Sequence, residues 1–271
     1  MLTEMATFGA IQSMRRIACT FFSILTIALV LSGCATAEKN KSSASVYELR
    51  TYFAAPGKLD ALHARFRDHT MKLFAKHGME NIGYFVPLEN SENKLVYLLA
   101  YPSRDAREVS WKAFLDDPDW KSAAAQSETN GKLVDRVEQI FLQTTDFSPA
   151  LKKGNVSHGG IFELRTYTTP EGSLPDLDHR FRVHTMKLFA SHGMKNWVYF
   201  HKTPDQPAAT TTLVYFLAHQ SQEAAQKSFD EFRKDPVWMA VKSASEKNGS
   251  LTVKDGVKSV FLKPTDYSPT K

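Results

Sequence analysis

"HTMKLFAKHGM" (His69–Met79) and "HTMKLFASHGM" (His184–Met194) are one phrase written twice, 115 positions apart. The repetition decides the fold before any element is assigned, because a duplicated unit that cannot bury its apolar faces alone buries them against its copy. "YELRTY" (Tyr47–Tyr52) returns as "FELRTY" (Phe162–Tyr167) at the same offset. "LVYLLA" (Leu95–Ala100) returns as "LVYFLA" (Leu213–Ala218), now 118 positions on. "DPDW" (Asp117–Trp120) returns as "DPVW" (Asp235–Trp238), and "TDFSP" as "TDYSP". The offset grows around the turn-rich stretch Thr203–Thr212, where insertion costs least. Two repeats, 46–149 and 161–271, are joined by a linker, 150–160, of loop-forming composition.

Each repeat has a legible order. Residues 46–52 alternate and carry β-branched and aromatic types, so they form a strand. Leu59, Leu62, Phe66, Leu73 and Phe74 fall at helical spacing and predict a helix over 58–77, with Gly78 in the left-handed position after it. Strands follow at 81–86 and 94–101. Ser103 caps a helix through Phe114, and Asp117-Pro118 starts another with Asp as cap and Pro at its first position. A last strand spans 136–142. The order β-α-β-β-α-β is the ferredoxin-like unit, so the fold class is α+β. Its third strand is apolar on both faces, so the face away from the helices needs a cover too. Two tandem units meet that need by closing on each other as an intramolecular α+β barrel of the dimeric type.

The N-terminus reads as an export signal. Met14-Arg15-Arg16 precedes the apolar run Ile17–Leu31, which is too short for a comfortable membrane span, and then "LSGC" ends at Cys34. The phrase resembles the bacterial lipobox, which implies cleavage before Cys34 and lipid on its thiol. Residues 1–33 are then a signal peptide and 34–45 a small, polar tether. Ala35 after the cysteine implies sorting to the outer membrane, facing the periplasm, by resemblance to the usual rule. Residues before Met14 lack signal character, which a start at Met14 would explain. With Cys19 removed and Cys34 lipidated, no disulfide is expected.

"YELRTY", "HTMKLFAKHGMENIGYF", "LVYLLAY" and "FLDDPDW", taken in order and spacing, resemble the NIPSNAP family over nearly the whole mature chain. The resemblance implies a dimeric-type α+β barrel. It implies no reaction and no catalytic residue set.

Candidate ligand-pocket residues come from the repeats. In strand 46–52, the apolar Tyr47 and Leu49 should meet the helices, which turns Glu48 and Arg50 toward the barrel interior; Glu163 and Arg165 repeat this. Buried charges are costly unless paired, so these carboxylate–guanidinium couples either satisfy each other or orient a small ligand. His69 and His184 share the apolar helix face with Phe66 and Leu73, or with their repeats, and should point at the sheet. His77 and His192 sit in the last helical turn, where histidine suits the free carbonyls. Tyr84 and Tyr199, with Tyr97 and Tyr215, are equivalent strand aromatics that fill a core or line an aromatic pocket.

The exclusions are firmer. A net charge of +5 with no dense basic tract gives no nucleic-acid footprint. No Gly-rich phosphate loop or GxSxG elbow appears, and His69 and His77 lie eight apart without a metal-ligand pattern, so no metal and no cofactor are expected. The expected function is a lipid-anchored envelope protein binding a small ligand or a protein partner. A cofactor-free oxygenase or isomerase with an apolar or aromatic substrate in the barrel stands as an alternative. A haem-handling protein with His69 or His184 as axial ligand is the other.

Overall fold

A computed structural model describes residues 46–158 and 160–271. The expected signal peptide, the expected tether and Cys34 lie outside the described residues. Within them the chain forms eight strands closed into a barrel, in the order β1-β3-β2-β8-β5-β7-β6-β4. The first repeat supplies β1 (Val46–Ala54), β2 (Glu80–Pro87), β3 (Lys94–Tyr101) and β4 (Val134–Thr144). The second supplies β5 (Ile161–Thr168), β6 (Lys195–Lys202), β7 (Thr212–His219) and β8 (Val257–Pro264). All the named strand pairs are antiparallel.

Two short seams join the repeats. Phe85–Pro87 of β2 pair with Leu262–Pro264 of β8, and Leu142–Thr144 of β4 pair with Phe200–Lys202 of β6. These seams remove edges that each repeat alone would leave open. The N-terminal halves of β4 and β8 extend past the seams, so each keeps one unpaired side there.

The helices pack outside the sheet. In the first repeat α1 (Leu59–Arg65), a π-helical turn (Phe66–Thr70) and α2 (Met71–Lys76) form one continuous run, followed after β3 by α3 (Arg104–Asp116) and α4 (Pro118–Ser127). The second repeat matches with α5 (Leu174–Arg180), a π-helical turn (Phe181–Thr185), α6 (Met186–Ser191), α7 (Gln222–Lys234) and α8 (Pro236–Ser245). Ser103 caps α3 by accepting from the Ala106 amide at 3.0 Å, and Asp117 caps α4 by accepting from the Asp119 amide at 2.8 Å. Gly78 takes φ +80°, as expected of the residue after the helix.

The π-helical turn changes what the phrase "HTMKLFA" does. A wider turn advances the side chains less per residue, so the apolar face drifts by one position. Thr70 becomes the buried residue, and its hydroxyl donates to the Arg65 carbonyl five residues back at 3.1 Å. His69 is exposed rather than packed on the sheet, and His184 is only half-buried. The expectation from 3.6-residue spacing fails at this one turn. His77 ends α2 as expected, and its Nε2 lies 2.6 Å from Oδ2 of Asp117, the cap of α4. His192 and Asp235 repeat the contact at 2.8 Å. Each histidine thus ties one helix end to the start of the second helix after it.

The lumen is packed. Tyr47, Leu49, Phe85, Leu98, Phe162, Trp197 and Phe216 belong to one buried apolar cluster drawn from both repeats. Two further clusters, one per repeat, lie between sheet and helices and contain Tyr84 with Tyr97 and Tyr199 with Tyr215. This reverses the expected facing of the first strand. Tyr47 and Leu49 point into the lumen, and Glu48 and Arg50 point to the helices. The reason is desolvation: the lumen offers apolar walls on every side, whereas the helix side brings polar partners to the charges. The linker is also more than a tether. Val156 is buried and joins the lumen cluster with Leu151 beside it, and the Trp197 indole donates to the Lys152 carbonyl at 2.8 Å.

Candidate functional site

The chemistry-bearing residues gather where β1 and β5 face α3 and α7. In the first repeat Glu48 is fully buried. Its Oε1 accepts from Arg50 Nη1 at 2.5 Å and Arg107 Nη2 at 2.9 Å. Its Oε2 accepts from the Tyr101 hydroxyl at 2.9 Å and from Arg107 Nε and Trp111 Nε1, both at 3.2 Å. Burial alone would raise this carboxyl, but the Arg107 and Arg50 contacts outweigh it and hold it below its ordinary value. Arg50 is satisfied in turn: Nε donates to the Tyr97 hydroxyl at 2.9 Å, Nη1 also donates to Gln139 Oε1 at 2.5 Å, and Nη2 reaches Tyr52 at 3.4 Å. Its guanidinium stacks on the Trp111 ring, 4.4 Å from the centroid. This network is closed.

The second repeat keeps the frame with fewer bonds. Glu163 accepts from Arg165, from the Ser259 hydroxyl at 2.5 Å and faces His219 Nε2 at 3.0 Å. Burial raises its carboxyl, and His219 and Arg165 more than offset this, so it too lies below its ordinary value. Arg165 donates to Tyr167 at 3.2 Å and stacks on Phe229 at 4.6 Å. Its Nε and the Tyr215 hydroxyl are buried without a hydrogen-bond partner.

A cleft of about 370 Å³ opens beside this second network. It wraps the unpaired side of β8, under the β2–β3 loop, and its walls include Thr51, Leu88, Asn90, Glu138, Ser259 and Phe261. Polar and apolar groups share the lining, as a site for a small organic molecule requires.

The predicted residues divide cleanly. Glu48, Arg50, Glu163 and Arg165 are brought into two networks, though outside the lumen. Tyr97 joins the first by hydrogen bond. Tyr84 and Tyr199 serve packing: each stacks on its strand neighbour, with ring planes at 15° for Tyr84–Tyr97 and 13° for Tyr199–Tyr215. Burial raises all four phenols well above the ordinary value, which keeps them neutral. His69 and His184 stand apart, in surface grooves against α4 and α8. Arg107, Tyr101, Gln139, His219 and Ser259 were not singled out from the sequence. The signal was present in the alignment of the repeats, where Arg107 corresponds to Ala225 and Tyr101 to His219 within otherwise matching surroundings. Among the described residues no three His, Cys, Asp or Glu side chains converge as a metal set would.

Comparison with known proteins gives the frame. Among solved structures, a NIPSNAP family protein with unknown function from Agrobacterium tumefaciens is 26% identical, over 40% of this chain and 96% of its own, with a TM-score of 0.36. A NIPSNAP domain protein from Burkholderia xenovorans is 20% identical over 38% of this chain and 98% of its own, at 0.34. A candidate monooxygenase from Lactobacillus acidophilus NCFM aligns over 82% of this chain and 94% of its own, at 10% identity and a TM-score of 0.52, a likeness of fold. No curated protein sequence matches the chain. The sequence model of the NIPSNAP family matches twice, over residues 47–149 and 162–269. With both repeats matched across most of its length, the chain belongs to the NIPSNAP family.

Proposed function

We propose that this protein is a lipid-anchored protein of the bacterial envelope that binds a small ligand in the cleft beside β8. The observation that carries the reading is a contrast: the lumen is filled by side chains from both repeats, while the cleft at its rim stays open with about 370 Å³. A substrate inside the barrel would have to displace Phe85, Trp197 and Phe216, each buried in the lumen cluster. Binding at the rim needs no such rearrangement. The cofactor-free oxygenase reading loses its support on the same ground.

The anchor rests on sequence. "LSGC" before the polar residues 35–45 supports lipid on Cys34, and Ala35 supports the outer membrane, facing the periplasm. The tether would let the barrel stand off the bilayer.

Native mass spectrometry of the full chain, purified without added ligand, tests binding. A retained small molecule, lost when Asn90 and Phe261 are replaced together by bulkier residues, supports the cleft; retention unaffected by that change overturns it. For the anchor, Cys34→Ala should abolish lipid labelling and leave the signal uncleaved, so that the chain shifts from the outer-membrane to the inner-membrane fraction. An unchanged distribution overturns the anchor.

A further inference from the structure

The two networks are copies of one design, and the second lacks parts that the first contains. Strand register places Gln139 opposite Arg50 and Ser259 opposite Arg165. Counting from the capping serines, Ser103 and Ser221, Arg107 corresponds to Ala225 and Trp111 to Phe229. At all three places the second repeat carries the smaller side chain, and two of them border one guanidinium, Ser259 by register and Phe229 by stacking.

The consequence is a difference in satisfied donors. A guanidinium carries five N–H donors and cannot lose its charge in a protein. Arg50 has four acceptors: Glu48, Gln139, Tyr97 and Tyr52. Arg165 has two, Glu163 and Tyr167. In the first repeat the Gln139 carboxamide oxygen holds Nη1 from the side of the unpaired β4 edge. That hold keeps Nε within 2.9 Å of Tyr97. In the second repeat Ser259 is too short for this and turns to Glu163 instead. Nε of Arg165 and the hydroxyl of Tyr215, the counterpart of Tyr97, are then both left without partners in the interior. Each such group carries a desolvation cost. The place vacated by the glutamine is not sealed, because Ser259, Phe261 and Gln222 line the cleft beside β8.

We propose that this place is a binding site for a neutral carbonyl oxygen, of the amide type, carried on a small apolar or aromatic body. The inference rests on the cleft being a ligand site and names what it takes. The ligand's oxygen occupies the position of the Gln139 carboxamide and accepts from Arg165 Nη1. It draws the guanidinium to the geometry of the first repeat, and Nε closes on Tyr215. Charge selects the neutral form. Glu163 and Arg165 offset each other across their hydrogen bond, so an added carboxylate meets Glu163 and an added cation meets Arg165. The body of the ligand lies against Phe261 and Gln222, which line the cleft on the face of the sheet that carries Ser259 and Arg165.

The test uses three probes of one shape and different charge on the full chain: benzamide, benzoate and benzamidine. Side-chain NMR of the arginine Nε–H groups reports on Arg165, assigned through Arg165→Lys. Benzamide should shift this resonance and bind about tenfold more tightly than either charged analogue. Ser259→Gln, which supplies the amide of the first repeat, should shift the resonance the same way without ligand and weaken benzamide binding about tenfold. Position 259 is exposed and carries glutamine in the sister strand, so this variant should fold. If benzamide binds the cleft equally in Ser259→Gln, or benzamidine or benzoate binds best, the carbonyl assignment is overturned and the cleft remains. If none of the three perturbs any cleft residue and native mass spectrometry finds no retained molecule, both readings fall.

Discussion

Glu48 and Arg107 join strand β1 to helix α3 through two hydrogen bonds, at 2.9 and 3.2 Å, with the carboxylate wholly shielded from water. The second repeat has alanine at the matching place. Its helix α7 is therefore held by packing, with Phe229 against the Arg165 guanidinium and beside the His219 ring, rather than by a guanidinium clamp. Glu48→Ala takes the buried carboxylate from Arg50 and leaves Arg107 only its exposed partner Glu108, and it should cost about 3–5 kcal/mol of stability. Glu163→Ala strands one arginine and should cost about 1–3 kcal/mol. Denaturant melts of the two variants check the ranking, and equal losses would remove the asymmetry.

Acid should act through the same carboxylates. Glu48 and Glu163 are held below their ordinary value of 4.5 in the folded protein. Asp117 and Asp235 are likewise lowered, by Lys76 and His77 in the first case and by His192 in the second. A depressed folded pKa means that the unfolded chain binds protons first. The stability these groups contribute is fully present above the ordinary carboxylate range and is lost as pH falls through the folded values. Melting temperature should hold from neutral pH down to the ordinary carboxylate range and then decline. In Glu48→Gln the decline should be shallower; a melting temperature that falls with the same slope in that variant would contradict the assignment.

His69→Ala should leave stability within about 0.5 kcal/mol, since the ring is exposed. Thr70→Val should cost about 1 kcal/mol, because it removes the hydroxyl that serves the Arg65 carbonyl in the widened turn. Thermal melts of both variants are the check, and a reversed order would return the histidine to the sheet face.

Gly160 enters β5 where an added Cβ would lie 2.0 Å from the His219 carbonyl oxygen. Backbone cannot yield as a flexible side chain can. Gly160→Ala should cost about 1–3 kcal/mol and disturb His219 beside Glu163. The histidine ring resonances, followed by NMR, would show the displacement; an unshifted His219 signal would count against it.

The seams predict mass. A fragment of residues 46–271 should be monomeric, because β8 and β6 complete the sheet of the first repeat. Residues 46–149 alone should dimerise, with β4 of one copy taking the place of β8 against β2 of the other. Light scattering distinguishes these states, and a monomeric single repeat would contradict edge closure as the driving force.

Most of the architecture was legible in the sequence because duplication is written residue by residue. "YELRTY" and "LVYLLA" carry strand periodicity, and Asp117-Pro118 marks a helix start that the structure reproduces. Two kinds of information were not there. A π-helical turn leaves no mark on a pattern read at 3.6 residues, so His69 was placed on the wrong face. Which side of β1 faces the lumen depends on partners from α3 and from the other repeat. Alternation gives two faces but does not say which one Arg107 and Trp111 will meet. The site was half legible: Glu163 and Arg165 stood out as charges in a strand, but Ser259 mattered only through what it had replaced.

The pairing of β8 with β2 has a consequence for the order of synthesis. The edge of β2 is made early, whereas its partner β8 follows only after strands β3 to β7. Tyr84 of β2 waits for the segment that follows β8, since its amide donates to Ser268 and its carbonyl accepts from the Thr265 amide. Until β8 has emerged the nascent chain cannot complete its barrel, and the edge of β2 stays exposed. The barrel therefore closes in one late step, once the second repeat has delivered its last strand.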